Sequence, residues 1–138
     1  MRGRWFKAMR DFYRKLDREL AGRSCAACGR CCRFDEADHV LCASRLERRY
    51  LALTARVPDN PDAPPELLAA GRRCPFQTGG RCGAREGRVL GCRLYFCGPG
   101  GAADGEALAE LWHGRLKRLH EEFGAEWEYG RLFPMREP

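Results

Sequence analysis

Between residues 3 and 21 the apolar side chains Trp5, Phe6, Met9, Phe12, Leu16 and Leu20 recur at spacings of three and four, with charged residues between them. That period predicts an amphipathic helix, closed near Gly22. A second stripe, Leu41, Cys42, Leu46, Tyr50 and Leu53, predicts a helix capped by Asp38 and running to about residue 55, with Cys42 as a small core residue on its apolar side. A third, Leu108, Leu111, Trp112, Leu116, Leu119 and Phe123, predicts a long helix from Asp104 to about Phe123, stopped by Gly124. Stripes of this kind are buried against other elements, so the helices are expected to enclose a common interior.

The middle of the chain is broken instead of periodic. VPDNPDAPP, residues 57–65, cannot continue a helix and reads as a surface connection; Pro64 or Pro65 then opens a short helix through Leu67 and Leu68, closed by Gly71. CPFQTGGRC, Cys74 to Cys82, carries a Thr-Gly-Gly turn and predicts a small hairpin or knuckle. In GCRLYFCGPGG the closing Gly-Pro-Gly-Gly stops any regular element, and the tail WEYGRLF either adds a short strand or packs. The 138 residues therefore predict a single domain, 1–138, mainly α, with an irregular cysteine-rich metal-binding core and a β-hairpin at most.

The core prediction comes from sulfur. The chain holds nine cysteines, four of them in CAACGRCC, residues 25–32. A chain of this length can bury a core without disulfide staples, and an odd count leaves a thiol over under any intramolecular pairing. The N-terminal residues alternate charge with apolar groups and do not form the apolar run of a secretory signal, nor is any apolar stretch long enough to cross a bilayer. A soluble, cytoplasmic protein with reduced thiols is the expectation, and metal ligation explains those thiols better than disulfides do.

With Cys42 assigned to the core, eight candidate ligands remain: Cys25, Cys28, Cys31, Cys32, Cys74, Cys82, Cys92 and Cys97. A two-residue gap lets Cys25 and Cys28, or Cys28 and Cys31, reach one metal across a tight turn. Adjacent side chains diverge, so Cys31 and Cys32 are not expected on the same ion. If the run is helical, Cys25, Cys28 and Cys32 share a face; if it is a loop turning at Gly29, Cys25, Cys28 and Cys31 form the set and Cys32 serves elsewhere. Eight thiols suit two four-thiolate zinc sites, an iron–sulfur cluster beside a zinc, or one metal site with thiols to spare. Pro75, Phe76, Tyr95 and Phe96 are placed to shield the sulfurs, and Arg30, Arg33 and Arg93 to offset their charge.

The ordered combination of CAACGRCC, CPFQTGGRC and CRLYFC (92–97) resembles the YkgJ-type cysteine-cluster family of zinc- or iron-chelating domains, over about residues 24–98. The resemblance leaves the flanking helices, 3–21 and 104–123, unexplained. Family members usually carry Arg-Pro before the final Cys-Arg pair, where this chain has Arg88-Val89. The same signature looks like part of the flagellin lysine N-methylases, which implies a four-iron four-sulfur cluster as the alternative to zinc. Methyl transfer does not carry over, because the chain has no glycine-rich S-adenosylmethionine loop after a strand.

Charge changes the picture little. The formal +6 falls to about +2 once eight thiolates hold two divalent zinc ions, so it does not point to nucleic acid. The acidic residues Asp11, Asp17 and Glu19 likewise favour packing of the first helix on the domain over a membrane surface. Of the histidines, His39 follows the cluster closely, while His113 and His120 lie seven apart on the last helix; solvated or core-edge roles explain all three, and none is needed to complete a thiolate set. No paired carboxylate, hydrolase elbow or phosphate loop is present. The function expected is chelation of zinc or an iron–sulfur cluster, structural or metal-handling, with the surface left to a protein partner. The alternative is iron–sulfur redox or service to a methyltransferase-type enzyme.

Overall fold

The computed structural model of the chain describes residues 3–20, 32–34, 40–94 and 105–134. Among them the architecture is mainly α. Helix α1 (Gly3–Glu19) opens the chain and strand β1 (Cys42–Ser44) leads directly into α2 (Arg45–Thr54). The short helix α3 (Pro65–Ala69), a hairpin of β2 (Gln77–Thr78) and β3 (Arg81–Cys82), a 3₁₀ turn (Arg85–Gly87) and α4 (Leu90–Leu94) make up the middle. The long helix α5 (Gly105–Glu122) and strand β4 (Tyr129–Arg131) follow.

Helix α1 forms where its period predicts and buries Phe6, Met9, Phe12, Tyr13 and Leu16. These meet Leu46 and Tyr50 of α2, Leu90 of α4, and Trp112 and Leu116 of α5 in one cluster, to which Leu20 also belongs. Each such side chain, moved from water to full burial, contributes on the order of 1.5–3 kcal/mol, so this cluster is the main support of the helical layer. A second cluster lies toward the hairpin: Cys32, Phe34, Leu41, Ala43, Leu51, Cys74, Phe76, Ala84, Val89, Leu132 and Phe133.

The helix expected from Asp38 begins later. Asp38 itself lies outside the described residues, but Cys42, Ala43 and Ser44 are a strand, paired antiparallel with Arg131, Gly130 and Tyr129. The cap is Ser44. Its hydroxyl accepts from the Glu47 amide at 3.4 Å while the Glu47 carboxylate accepts from the Ser44 amide at 3.0 Å. This reciprocal box satisfies two amides that the first turn of a helix otherwise leaves unpaired, which is why α2 starts there. Cys42 is consequently a half-buried strand residue outside both core clusters and not a member of a helical stripe.

Two leucines of the expected stripes face outward. Leu53 is exposed, because the buried face of α2 is centred on Glu47, Tyr50 and Leu51. Leu111 is exposed as well; the inward face of α5 runs Trp112, Leu116, His120, with Leu108 and Leu119 partly buried beside it. His120 is therefore a core residue and not a solvated one. Its Nε2 accepts from the Leu46 amide at 3.3 Å, which requires Nδ1 to carry the proton donated to the Leu116 carbonyl at 3.0 Å. Burial pushes its pKa down, so the ring is held neutral.

Strand β4 answers the question of the tail, which both pairs with β1 and packs: Leu132 donates its amide to Leu41 and, with Phe133, joins the second cluster. A two-stranded ladder of three residues is marginal alone; Leu132 and Phe133, directly after β4, anchor its end in the second cluster.

Candidate metal centre

The hairpin is the most locally determined part of the site. Gly79 and Gly80 both have positive φ, 60° and 73°, the backbone a two-residue primed turn needs, and Gln77 pairs with Cys82 across it. Asp62, from the proline-rich connection, accepts the Gly79 and Gly80 amides at 2.9 and 2.8 Å. Those two bonds hold its carboxyl below the ordinary aspartate value of 3.8. The proline-rich stretch is thus a brace for the turn that presents Cys82, a role its composition did not disclose.

Four of the eight candidate thiols are described, and they belong to one apolar cluster: Cys32 and Cys74 are buried, Cys82 and Cys92 half-buried beside them. They arrive from separate segments. Cys74 donates its amide to the Cys32 carbonyl at 2.9 Å, tying the end of CAACGRCC to the foot of the hairpin. The Cys32 side chain acts on the Cys82 thiol through a hydrogen bond that favours the thiolate. Cys82 also accepts from the Ala84 amide at 3.4 Å. The bond from Cys32 is the largest cause lowering the Cys82 pKa to about 6, helped by Ala84 and by the positive charges of Arg88 and Arg85, against the opposing effect of burial. Cys92 sits on α4, whose first amide, Leu90, donates to the buried Glu47 carboxylate at 2.5 Å.

Cys25, Cys28, Cys31 and Cys97 lie outside the described residues, as do His39, Arg30, Tyr95 and Phe96. Among the described residues no three His, Cys, Asp or Glu side chains stand together as a metal-binding group. The described sulfurs therefore share an apolar surround and not a complete coordination sphere. Their chemistry suits a soft or borderline metal, since thiolates select zinc and iron–sulfur clusters over hard cations.

Phe76 lines the cluster as the sequence suggested, and two further aromatic residues do so unexpectedly: Phe34 stacks on Phe133 with centroids 5.8 Å apart, and Phe76 tilts against Phe133 at 6.3 Å. Phe133 lies in the tail, far from every cysteine motif, and nothing in the local pattern marks it. Arg93 does not serve the thiols. Its guanidinium binds Asp17 at 2.6 Å and the carbonyls of Arg88 and Glu86 at 2.6 and 2.9 Å, and lies over the Tyr13 ring at 4.0 Å. The cations facing Cys82 are Arg85 and Arg88. His113 and His120 pack edge-on against Tyr129 and Trp127, each at 5.0 Å, away from the sulfur cluster.

No family model, curated protein or solved structure matches the chain. No helix among the described residues is long and apolar enough to cross a membrane.

Proposed function

We propose that the chain is a metal-binding protein whose cysteine thiolates chelate zinc or an iron–sulfur cluster, in a structural or metal-handling role. The observation that carries this reading is the gathering of Cys32, Cys74, Cys82 and Cys92, from three separate segments, around one apolar cluster. Cys32 is the last residue of CAACGRCC, so an ion at this cluster would draw further ligands from Cys25 and Cys28, and from Cys97 five residues beyond Cys92, with Cys31 left to a second site. Phe34, Phe76 and Phe133 would keep water from the sulfurs, and Arg85 and Arg88 would offset the charge of a thiolate set. Binding free energy would then be folding free energy for a middle segment with little regular structure. A cytoplasmic setting, where thiols stay reduced, suits this chemistry.

Cys42 supplies the control, since it belongs to neither cluster. In protein purified without oxygen, Cys74→Ser is expected to lose bound metal and to loosen the middle of the chain, whereas Cys42→Ala keeps the metal content of the wild type. Loss of metal from Cys42→Ala with retention in Cys74→Ser would overturn this assignment of ligands.

A further inference from the structure

A cleft of about 280 Å³ lies where the start of α1, the first turns of α2 and the chain leaving α5 meet. None of the residues lining it belongs to the cysteine cluster. Its frame is fixed on three sides. Leu46 donates its amide to His120 at 3.3 Å, which fastens the start of α2 to α5. Gly124, with φ 63°, reverses the chain after α5: its amide donates to the Glu121 carbonyl at 3.2 Å, and the Ala125 amide to the His120 carbonyl at 2.8 Å. That pair of bonds is a helix ending that returns Ala125 and Glu126 to the cleft. Trp5 is held by an edge-on contact with Phe6, whose ring packs against Tyr50 of α2 at 4.8 Å.

The lining divides into an apolar interior and a charged rim. Leu46 is buried, with Trp5, Phe123 and Ala125 half-buried around it. Trp5 and Phe123 make no ring contact with each other, so a third ring entering the cleft has two aromatic walls to meet. Arg45 and Arg49, both exposed, stand one helical turn apart on one face of α2 and border the same space. Arg45 is paired with Glu126 at 3.4 Å, whereas Arg49 makes no hydrogen bond or ion pair among the described residues. The cleft therefore carries one uncompensated positive charge. The amides at the start of α2 add nothing to it, because those of Ser44, Leu46 and Glu47 are already taken by Glu47, His120 and Ser44. An anion here is recognised by guanidinium groups and not by the helix end. Liquid water occupies about 30 Å³ per molecule, so the space equals about nine waters. A molecule of one or two rings fills it, and a peptide or dinucleotide does not.

We propose that this cleft binds a small aromatic monocarboxylate. The ring enters between Trp5 and Phe123 over Leu46, and the carboxylate meets Arg49, whose fork of N–H donors matches both oxygens. Glu126 selects the charge of the ligand: by neutralising Arg45 it leaves a place for one negative charge and opposes a second. The site is independent of any metal at the cysteine cluster.

The test is titration of the isotope-labelled full chain with phenylacetate and with naphthoate, followed by its amide and indole N–H resonances, with phenylacetamide and benzylamine as the neutral and cationic counterparts. Saturable shifts centred on the Trp5 indole and on the amides of 45–49 and 123–126 are expected, with a Kd of about 1 mM or below for at least one acid. The amide and the amine should bind about tenfold more weakly or worse. Arg49→Gln, an exposed change that leaves the fold intact, should weaken the acids about tenfold, and Glu126→Gln should tighten them by freeing Arg45. Lys7→Gln, on the exposed face of α1 outside the cleft, should leave the affinity unchanged. No saturable binding of either acid, shifts centred elsewhere, equal binding of phenylacetamide, or wild-type affinity in Arg49→Gln would each overturn the proposal.

Discussion

At the scale of single residues, Glu47 ties three helices together. It is fully buried and accepts from the Tyr13 hydroxyl at 2.9 Å, the Ser44 amide at 3.0 Å and the Leu90 amide at 2.5 Å, so one side chain joins α1, the start of α2 and the start of α4. Each carboxylate oxygen receives a backbone N–H. A glutamine there must turn its own NH₂ toward one of those donors, whichever way the amide is oriented. Glu47→Gln is therefore expected to cost about 1–3 kcal/mol, read as a lower midpoint in urea unfolding, despite its nearly equal volume. The pH dependence has a definite sign. Burial raises the Glu47 pKa above the ordinary 4.5, so the folded state holds the proton more tightly than the unfolded chain. Its contribution is complete below 4.5 and declines as pH rises through the raised value. The stability gap between wild type and Glu47→Gln should thus narrow from acid toward neutral pH; a gap that widens over that range contradicts the assignment.

At the scale of elements, the helices were legible where period and burial agree. The α1 stripe was readable apart from Tyr13, which is polar enough at one end to pass for a surface residue yet bonds Glu47 in the core. Helix α2 starts later than the apolar spacing through Cys42 suggests, because Ser44 followed by Glu47 three residues on forms a capping box that sets its first turn. Pairing of β1 with β4 could not be read locally, since the partners lie more than eighty residues apart and neither strand exceeds three residues. The hairpin was readable from its Gly-Gly turn, but the Asp62 brace was not. That brace predicts a titration: the Gly79 and Gly80 amide proton shifts should move together with a midpoint below 3.8, and the turn should lose its brace as pH falls through that midpoint. A midpoint at or above 3.8 would sink the proposed bidentate acceptance. The 3₁₀ turn offers a second test. A Cβ at Gly87 would run into the Thr54 hydroxyl and the Leu51 side chain of α2, so Gly87→Ala should destabilise the fold by about 1–3 kcal/mol in urea unfolding through overpacking. An unchanged midpoint would mean that α2 and the turn are not packed this closely.

At the scale of the whole molecule, two apolar clusters divide the labour. One, built from α1, α2, α4 and α5, needs only ordinary hydrophobic burial to cohere. The other gathers four cysteines and three phenylalanines, drawn largely from the short segments around the hairpin and the tail. The sequence motifs announced the cysteines because thiol spacing is a local property. They did not announce Phe34 and Phe133, nor that Arg93 is spent on Asp17 and Tyr13, because those depend on what the fold brings near. A thiolate-bound metal at the second cluster would add its binding free energy to that of burial, and that proposal is the most exposed to test. Metal and acid-labile sulfide should be quantified per chain in protein purified without oxygen. Stoichiometric zinc without sulfide, or iron accompanied by sulfide, is the expected result. A folded chain that contains neither zinc nor iron, and takes up neither when supplied with them, would contradict it.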